Sequence, residues 1–277
     1  MRTARGMLAV TACAVLLAGC APNEPEPPSV EGLEITVVQS RSDVADRHAQ
    51  VRVRNDTGAT VEIGAVEVVD ARFAAPAERT DPERITSVRP GATVDIRVAL
   101  PAVDCASSDG EPRVRLELAA SGPLVETPAA DPLDVITPLH ERECRAERLA
   151  DSADVSFASF QPSAHPAPAV LGLEIVPTGR ARAVIVGIQP TNLLRFDGTR
   201  ASSDTLPLDV LVGTGPVLVP LPLVPSRCDP HAVQEDKRGT VFTLEVQLDG
   251  EPGEVELAAP ADLRARLLTW VSRWCGG

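Results

Sequence analysis

Tyrosine is absent from this chain of 277 residues, and aromatic side chains of all kinds make up only 3% of it. A core built almost without rings must be filled by Val, Leu and Ile, which favours strands with an aliphatic interior. Lysine is nearly as scarce: Lys237 is the only one, and the remaining basic charge is all arginine. That bias reads as the mark of a GC-rich genome, not of a mechanism. Positive charge as a whole is short. The formal net charge is −13, or about −15 without Arg2 and Arg5, which lie in the leader described below. An acidic surface repels nucleic acid and anionic headgroups. No nucleic-acid partner is therefore expected, and the acidity otherwise serves solubility. Long apolar runs are missing as well. The run from Met7 to Leu17 is too short to span a bilayer, and the apolar stretch 206–225 is interrupted by Asp209 and five prolines.

Sequence patterns that carry chemistry are missing too. The chain has no G-x-S-x-G, no H-E-x-x-H and no glycine-rich phosphate loop. No C-x-x-C or cysteine–histidine spacing suggests a metal, so neither a metal site nor a cofactor is expected. His48, His140, His165 and His231 are scattered and read as surface histidines. Carboxylates are plentiful, but no pair stands out as acid and base. Ser107-Ser108-Asp109 and Ser202-Ser203-Asp204 read as turns.

What is present begins at the N-terminus. Arg2 and Arg5 precede the short apolar run, and small residues follow it, the plan of a secretory signal. The run ends in Leu17-Ala18-Gly19-Cys20, which resembles the lipobox of bacterial lipoproteins. The resemblance covers about the first twenty residues. It implies removal of residues 1–19, Cys13 included, and a diacylglycerol on the Cys20 sulfur. Stable anchoring needs more than one acyl chain, which such a lipid supplies. The expected location is the extracytoplasmic face of the cell membrane. Residues 20–30 then form a Pro/Glu-rich tether, extended and unable to build a core.

The remainder is written twice. Thr60–Phe73 (TVEIGAVEVVDARF) aligns with Ala183–Phe196 (AVIVGIQPTNLLRF), an offset of 123 that also relates Cys105 to Cys228. The alternating set Val94, Ile96, Val98, Leu100 matches Val217, Val219, Leu221, Leu223. Short alternating runs separated by turn signals such as Pro90-Gly91 and Asp249-Gly250 predict about seven strands per copy. Each copy then ends in a helix. The first should be capped by Thr137, with Pro138 in its first turn. The second should bury Leu263, Leu267, Val271 and Trp274 on one face, with Trp270 beside it. The expected fold is mainly β: two tandem immunoglobulin-like β-sandwich domains, residues 31–150 and 151–277. Each would be closed by a short C-terminal helix and one disulfide. The charge run from His140 to Arg148 reads as a solvated helix face with pairing along the helix.

Four cysteines beyond Cys20, in an exported chain, allow three pairings. The repeat selects Cys105 with Cys144 and Cys228 with Cys275, separations of 39 and 47 residues. In the second copy Pro216, Pro220 and Pro222 share one parity, so one side of that strand lacks N–H donors and should be an unpaired edge. The matching residues of the first copy, Thr93, Arg97 and Ala99, keep their donors and form a possible partner edge.

These features point to a lipid-anchored binding or adaptor protein of the cell envelope. Its partners would be the membrane, through the anchor, and a protein of unknown identity. An accessory subunit of a membrane complex is the second reading and an enzyme with an unrecognised site the third. A two-lobed solute-binding protein is disfavoured, since the α/β alternation of such lobes is missing.

Overall fold

The computed structural model describes residues 30–276 apart from positions 45, 119–121, 180, 200, 202 and 230–237. The expected leader, the lipidation candidate Cys20, the tether up to position 29 and His231 lie outside the described residues.

Strands dominate, as the aliphatic alternation predicts. The first half contains β1 (Leu33–Val38), β2 (His48–Asn55), β3 (Val61–Val69), β4 (Ala77–Arg79), β5 (Thr86–Val88), β6 (Thr93–Ala99), β7 (Arg113–Leu118) and β8 (Leu124–Pro128). Helix α1 (Ile136–Ser152) follows. The second half contains β9 (Ala153–Gln161), β10 (Ala169–Pro177), β11 (Ala183–Gln189), β12 (Leu194–Phe196), β13 (Leu206–Leu211), β14 (Val217–Pro225), β15 (Val241–Leu248), β16 (Glu251–Ala258) and the closing helix α2 (Ala261–Gly276). The short β4 and β5 were not expected from sequence. Each spans three residues, too few for a period of two to register.

Every ladder between these strands is antiparallel. The order repeats. In the first half β1-β2-β6 lie side by side, as do β3-β7-β8 with β5 on the other side of β3. In the second half β9-β10-β14 and β13-β11-β15-β16 follow the same plan. One difference is β4, which bridges β6 to β3 and merges the first half into a single eight-stranded sheet. The Asp249-Gly250 hairpin forms as expected, with φ of 51° and 88°, the positive values that a tight two-residue turn requires.

The apolar residues collect into two clusters. One contains Val37, Val51, Ile63, Val98, Leu116 and Ile136; the other Leu171, Ile185, Phe196, Leu223, Phe242 and Leu267. Helix α1 serves both: Ile136 and Leu139 pack in the first cluster and Leu149 in the second. It passes into β9 without a linker, since Ala153 is both its C-cap and the first residue of the strand.

Three expectations about the helices are corrected. Thr137 does not cap α1; the Asp131 carboxylate does, accepting the N–H groups of Val135 at 2.8 Å and Ile136 at 3.1 Å. The Thr137 hydroxyl instead accepts from Arg72 Nη1 at 2.9 Å. Charges of α1 pair off the helix: Glu143 with Arg47, and Arg148 with Glu251 at 3.5 Å. In α2 the buried tryptophan is Trp270, and Trp274 is only partly covered.

Both disulfides form as expected, Cys105–Cys144 and Cys228–Cys275, with Cα separations of 5.4 and 5.3 Å. Each ties the end of a strand region to a helix, which shrinks the unfolded ensemble by up to about 4 kcal/mol per bond.

Candidate functional site

The possible partner edge lies on β6. Alternation along a strand sends the backbone groups of successive residues to opposite sides. Leu100 donates to Arg47 O at 2.7 Å and Asn55 donates to Ala92 O at 3.0 Å, so the parity of Val94, Ile96 and Val98 faces β2. Thr93, Asp95, Arg97 and Ala99 therefore face away from it.

The edge is not open along its whole length. At Arg97 and Ala99 the expectation is corrected. Glu78 and Arg79 of β4 pair with Ala99 and Val98, and the Thr80 N–H donates to Arg97 O at 3.1 Å. The three-residue β4 was invisible in the sequence, and with it the closure of this end. Over positions 93–95 no strand among the described residues pairs on that side. Thr93 therefore keeps the expected free edge, and Asp95, not singled out before, joins it.

A cavity of about 370 Å³ opens beside this stretch, lined by Arg79, Asp81, Arg84, Thr86, Asp95 and Arg97 among others. Arg79 is its most unusual member. The residue is 7% exposed. Its guanidinium donates to Gly64 O at 2.6 Å, to Ile63 O at 3.3 Å and to Thr86 Oγ1 at 2.7 Å. All three acceptors are neutral. A buried cation without a hydrogen-bonded carboxylate is costly, and here burial, with Arg84 adding to it and the Asp81 charge opposing, holds the guanidinium below its ordinary range. Asp43 is bound to Arg97 at 2.9 Å and Asp95 to Arg52 at 2.7 Å, which leaves Asp81 as the carboxylate whose charge acts on Arg79. The slot thus joins a short run of unpaired strand edge to a buried guanidinium that bonds only neutral acceptors. Arg79 carried no sequence signal, because a lone arginine in a three-residue strand has no period.

The proline-bearing strand β14 is paired with β10 from Val217 to Leu223. On the proline side β12 covers positions 223–225, and Asp197 N donates to Pro222 O at 2.8 Å. The expected edge is therefore open only over its first half, where no strand among the described residues pairs on that side.

A second polar cavity, of about 720 Å³, surrounds Cys105, Ser108, His140, Cys144 and the outer face of α1. His140 is buried, which corrects its reading as a surface residue. Its Nε2 donates to Asp104 O at 3.1 Å and lies 3.5 Å from Cys144 Sγ. The Ser108 hydroxyl donates to Asp109 at 3.2 Å. Among the described residues no hydrogen bond joins Ser108 to His140, and both sulfurs are in the disulfide. The histidine ring works as a brace between the 105 region and α1. Among the described residues no cluster of His, Cys, Asp and Glu is arranged to hold a metal ion.

No protein-family model matches the chain, and no curated protein does. Among solved structures, alignments reach the YadV chaperone at 12% identity over 82% of this chain and 100% of that one, with a TM-score of 0.23. The CupB2 chaperone of Pseudomonas aeruginosa aligns at 14% identity over 78% and 94%, with a TM-score of 0.21. Red sea bream transglutaminase aligns at 14% over 83% of this chain and 31% of its own, with a TM-score of 0.23. Similarities at this level transfer no function.

Proposed function

We propose that this chain is a lipid-anchored, extracytoplasmic adaptor of the cell envelope, made of two tandem immunoglobulin-like domains on a tether. The supports are separate. Leu17-Ala18-Gly19-Cys20 resembles a lipobox, and the two disulfides suit an oxidising compartment. The repeated strand order suits a duplicated sandwich, each copy closed by its helix and its sulfur bridge. The observation that carries the binding role is the slot beside positions 93–95. A free strand edge recruits an extended segment through main-chain hydrogen bonds, and the side chains along it select the sequence. Arg79 and Arg84 select a segment with an acidic residue.

A photo-crosslinking residue at Thr93 in the cell-borne protein is the direct test. The expected result is a discrete protein adduct that disappears in the Asp95→Pro variant, which loses an edge donor, and weakens in Arg84→Glu. A probe at Leu211, exposed in the other half, should give no such adduct. If both probes capture only lipid-modifying enzymes and general chaperones, the adaptor role fails. Cys20→Ser should release the protein from membranes, and persistence in the membrane fraction would refute the anchor.

A further inference from the structure

The outer face of α2 carries a groove whose lining differs from that of the polar cavity on α1. Its volume is about 540 Å³, within the range of small-molecule sites, and its walls include Phe160, Ala265, Arg266, Thr269, Trp270 and Arg273. Residues 266, 270 and 273 are spaced i, i+4, i+7 and so share one helix face. The two helices align through their disulfide cysteines, Cys144 with Cys275, an offset of 131, and the positions at α1 that match Arg266, Trp270 and Arg273 are Val135, Leu139 and Arg142. Arg273 has a like counterpart there, whereas Arg266 and Trp270 have none.

The polar capacity of the groove is narrow. Trp270 Nε1 donates to Ser163 O and Trp274 Nε1 to Ala167 O, each at 3.0 Å. Thr269 Oγ1 donates to Ala265 O at 2.8 Å and Ser163 Oγ to Ala167 O at 2.5 Å. Neither indole nor hydroxyl is left to meet the carbonyls of a passing peptide. What remains is guanidinium. Arg266 donates to Phe160 O at 2.7 Å and lies 5.6 Å from the centre of the Phe160 ring, held against an aromatic face. Arg273 stands at the other end of the face. Neither has a carboxylate partner among the described residues, in a chain where acidic residues outnumber Lys and Arg by 39 to 26. Two unneutralised cations flanking an apolar floor complement one kind of ligand.

We infer that the groove on α2 binds an anionic amphiphile, a carboxylate on an apolar body of fatty-acid type. The apolar body lies along Phe160, Ala265 and Trp270, and the carboxylate takes a guanidinium in the two-pronged geometry arginine favours. This site is independent of the strand edge at positions 93–95, and either can fail alone.

Trp270 and Trp274 are the only tryptophans of the chain, so intrinsic emission reports on this groove. The test is titration of the full chain carrying Cys20→Ser, which cannot be acylated, with dodecanoate below its micellar concentration. The expected result is a saturable change in emission. Dodecanol should bind at least tenfold more weakly, and the Arg266→Gln/Arg273→Gln variant should lose at least tenfold in dodecanoate affinity with unchanged far-UV circular dichroism. No saturable change, equal affinity for dodecanol, or undiminished binding by the double variant would each overturn the inference. So would saturable binding of an acidic proline-rich peptide where dodecanoate does not bind. If the double variant misfolds, Ala265→Leu, which fills the floor, should abolish binding; retained affinity there counts against the site.

Discussion

The two halves share strand order, closing helix and disulfide, yet they close their peripheries with opposite materials. The first half has one aromatic residue, Phe73, and surrounds its aliphatic core with buried polar groups: Asp43, Gln50, Asn55, Asp70, Arg72, Arg79 and His140. The second half has every other Phe and Trp, namely Phe157, Phe160, Phe196, Phe242, Trp270 and Trp274. Its only buried polar residue past the helix junction, among the described residues, is Thr240. Phe157 and Phe196 flank Phe242 at 5.2 and 6.4 Å, and Phe160 meets Trp270 edge-on at 5.7 Å. The comparison separates what the topology demands from what it tolerates. Alternating aliphatic residues set the strands and their order. The rim can be filled by hydrogen-bonded ions or by rings, and the choice decides how each half responds to pH and what its surface can bind.

Removing the bridges should produce the largest effects and expose the asymmetry of α1. Cys105→Ser/Cys144→Ser and Cys228→Ser/Cys275→Ser should each lose up to about 4 kcal/mol. Both tryptophans lie in the second half, so emission follows that half while far-UV circular dichroism follows both. The Cys228–Cys275 deletion should shift the emission transition most. The Cys105–Cys144 deletion should shift both transitions, since α1 carries Leu149 into the second cluster and Arg145 reaches Glu254 O at 3.4 Å. An emission transition that ignores the loss of Cys105–Cys144 would show that α1 does not couple the halves.

The next effect belongs to the first half alone. The Asp70 side chain is 0% exposed and that of Arg72 9%, and their oxygens and nitrogens meet at 2.8 Å. Removing one member of a buried pair costs about 3–5 kcal/mol, whereas replacing both by apolar residues costs far less. Asp70→Ala should therefore destabilise strongly, and Asp70→Leu/Arg72→Met should recover most of the loss. Burial alone would push the Asp70 carboxyl up, but the Arg72 side-chain and backbone N–H groups and its charge outweigh burial and hold it below 3.8. A depressed carboxylate contributes its stability fully above the unfolded value and loses it as the pH falls through the lower folded value. Acid unfolding below about pH 4 should thus appear in circular dichroism before tryptophan emission. The Asp70→Leu/Arg72→Met variant should narrow that gap, and coincident transitions in the parent protein would contradict the assignment.

The sequence made the apolar half of this comparison legible and hid the polar half. Val94, Ile96 and Val98 announce a strand because period two survives in the order of residues, and the offset of 123 marks Cys105 and Cys228, each with a second cysteine downstream. Arg79, Asp43 and His140 announce nothing. A polar side chain reads as exposed unless its partner is known, and the acceptors of Arg79 lie 7, 15 and 16 residues away in sequence. The free edge was read from the parity of Thr93, Arg97 and Ala99, and half of it was then closed by a strand of three residues. The groove on α2 was not read from the sequence, where Leu263, Leu267, Val271 and Trp274 declare the buried face and Arg266 and Arg273 pass as ordinary surface charges. Only the geometry shows that both indole N–H groups are engaged.

The smallest effects should distinguish the two helices, because their N-termini are satisfied by different physics. At α1 the Asp131 carboxylate, four and five residues upstream, accepts two backbone N–H groups at 2.8 and 3.1 Å. Loss of such a cap costs about 1 kcal/mol. At α2 the acidic residue is Asp262, inside the first turn, where a negative charge meets the positive end of the helix dipole for about 0.5 kcal/mol. Asp131→Ala should therefore be the more damaging change, and its cost should persist in molar salt, since a hydrogen bond of fixed geometry is not a screened charge. The cost of Asp262→Ala should fall towards zero under the same salt, because ions screen exposed charges within a few ångströms there. Denaturant midpoints of both variants with and without salt decide it. Equal salt sensitivity would mean that Asp131 acts through its charge, and that the two helices start alike.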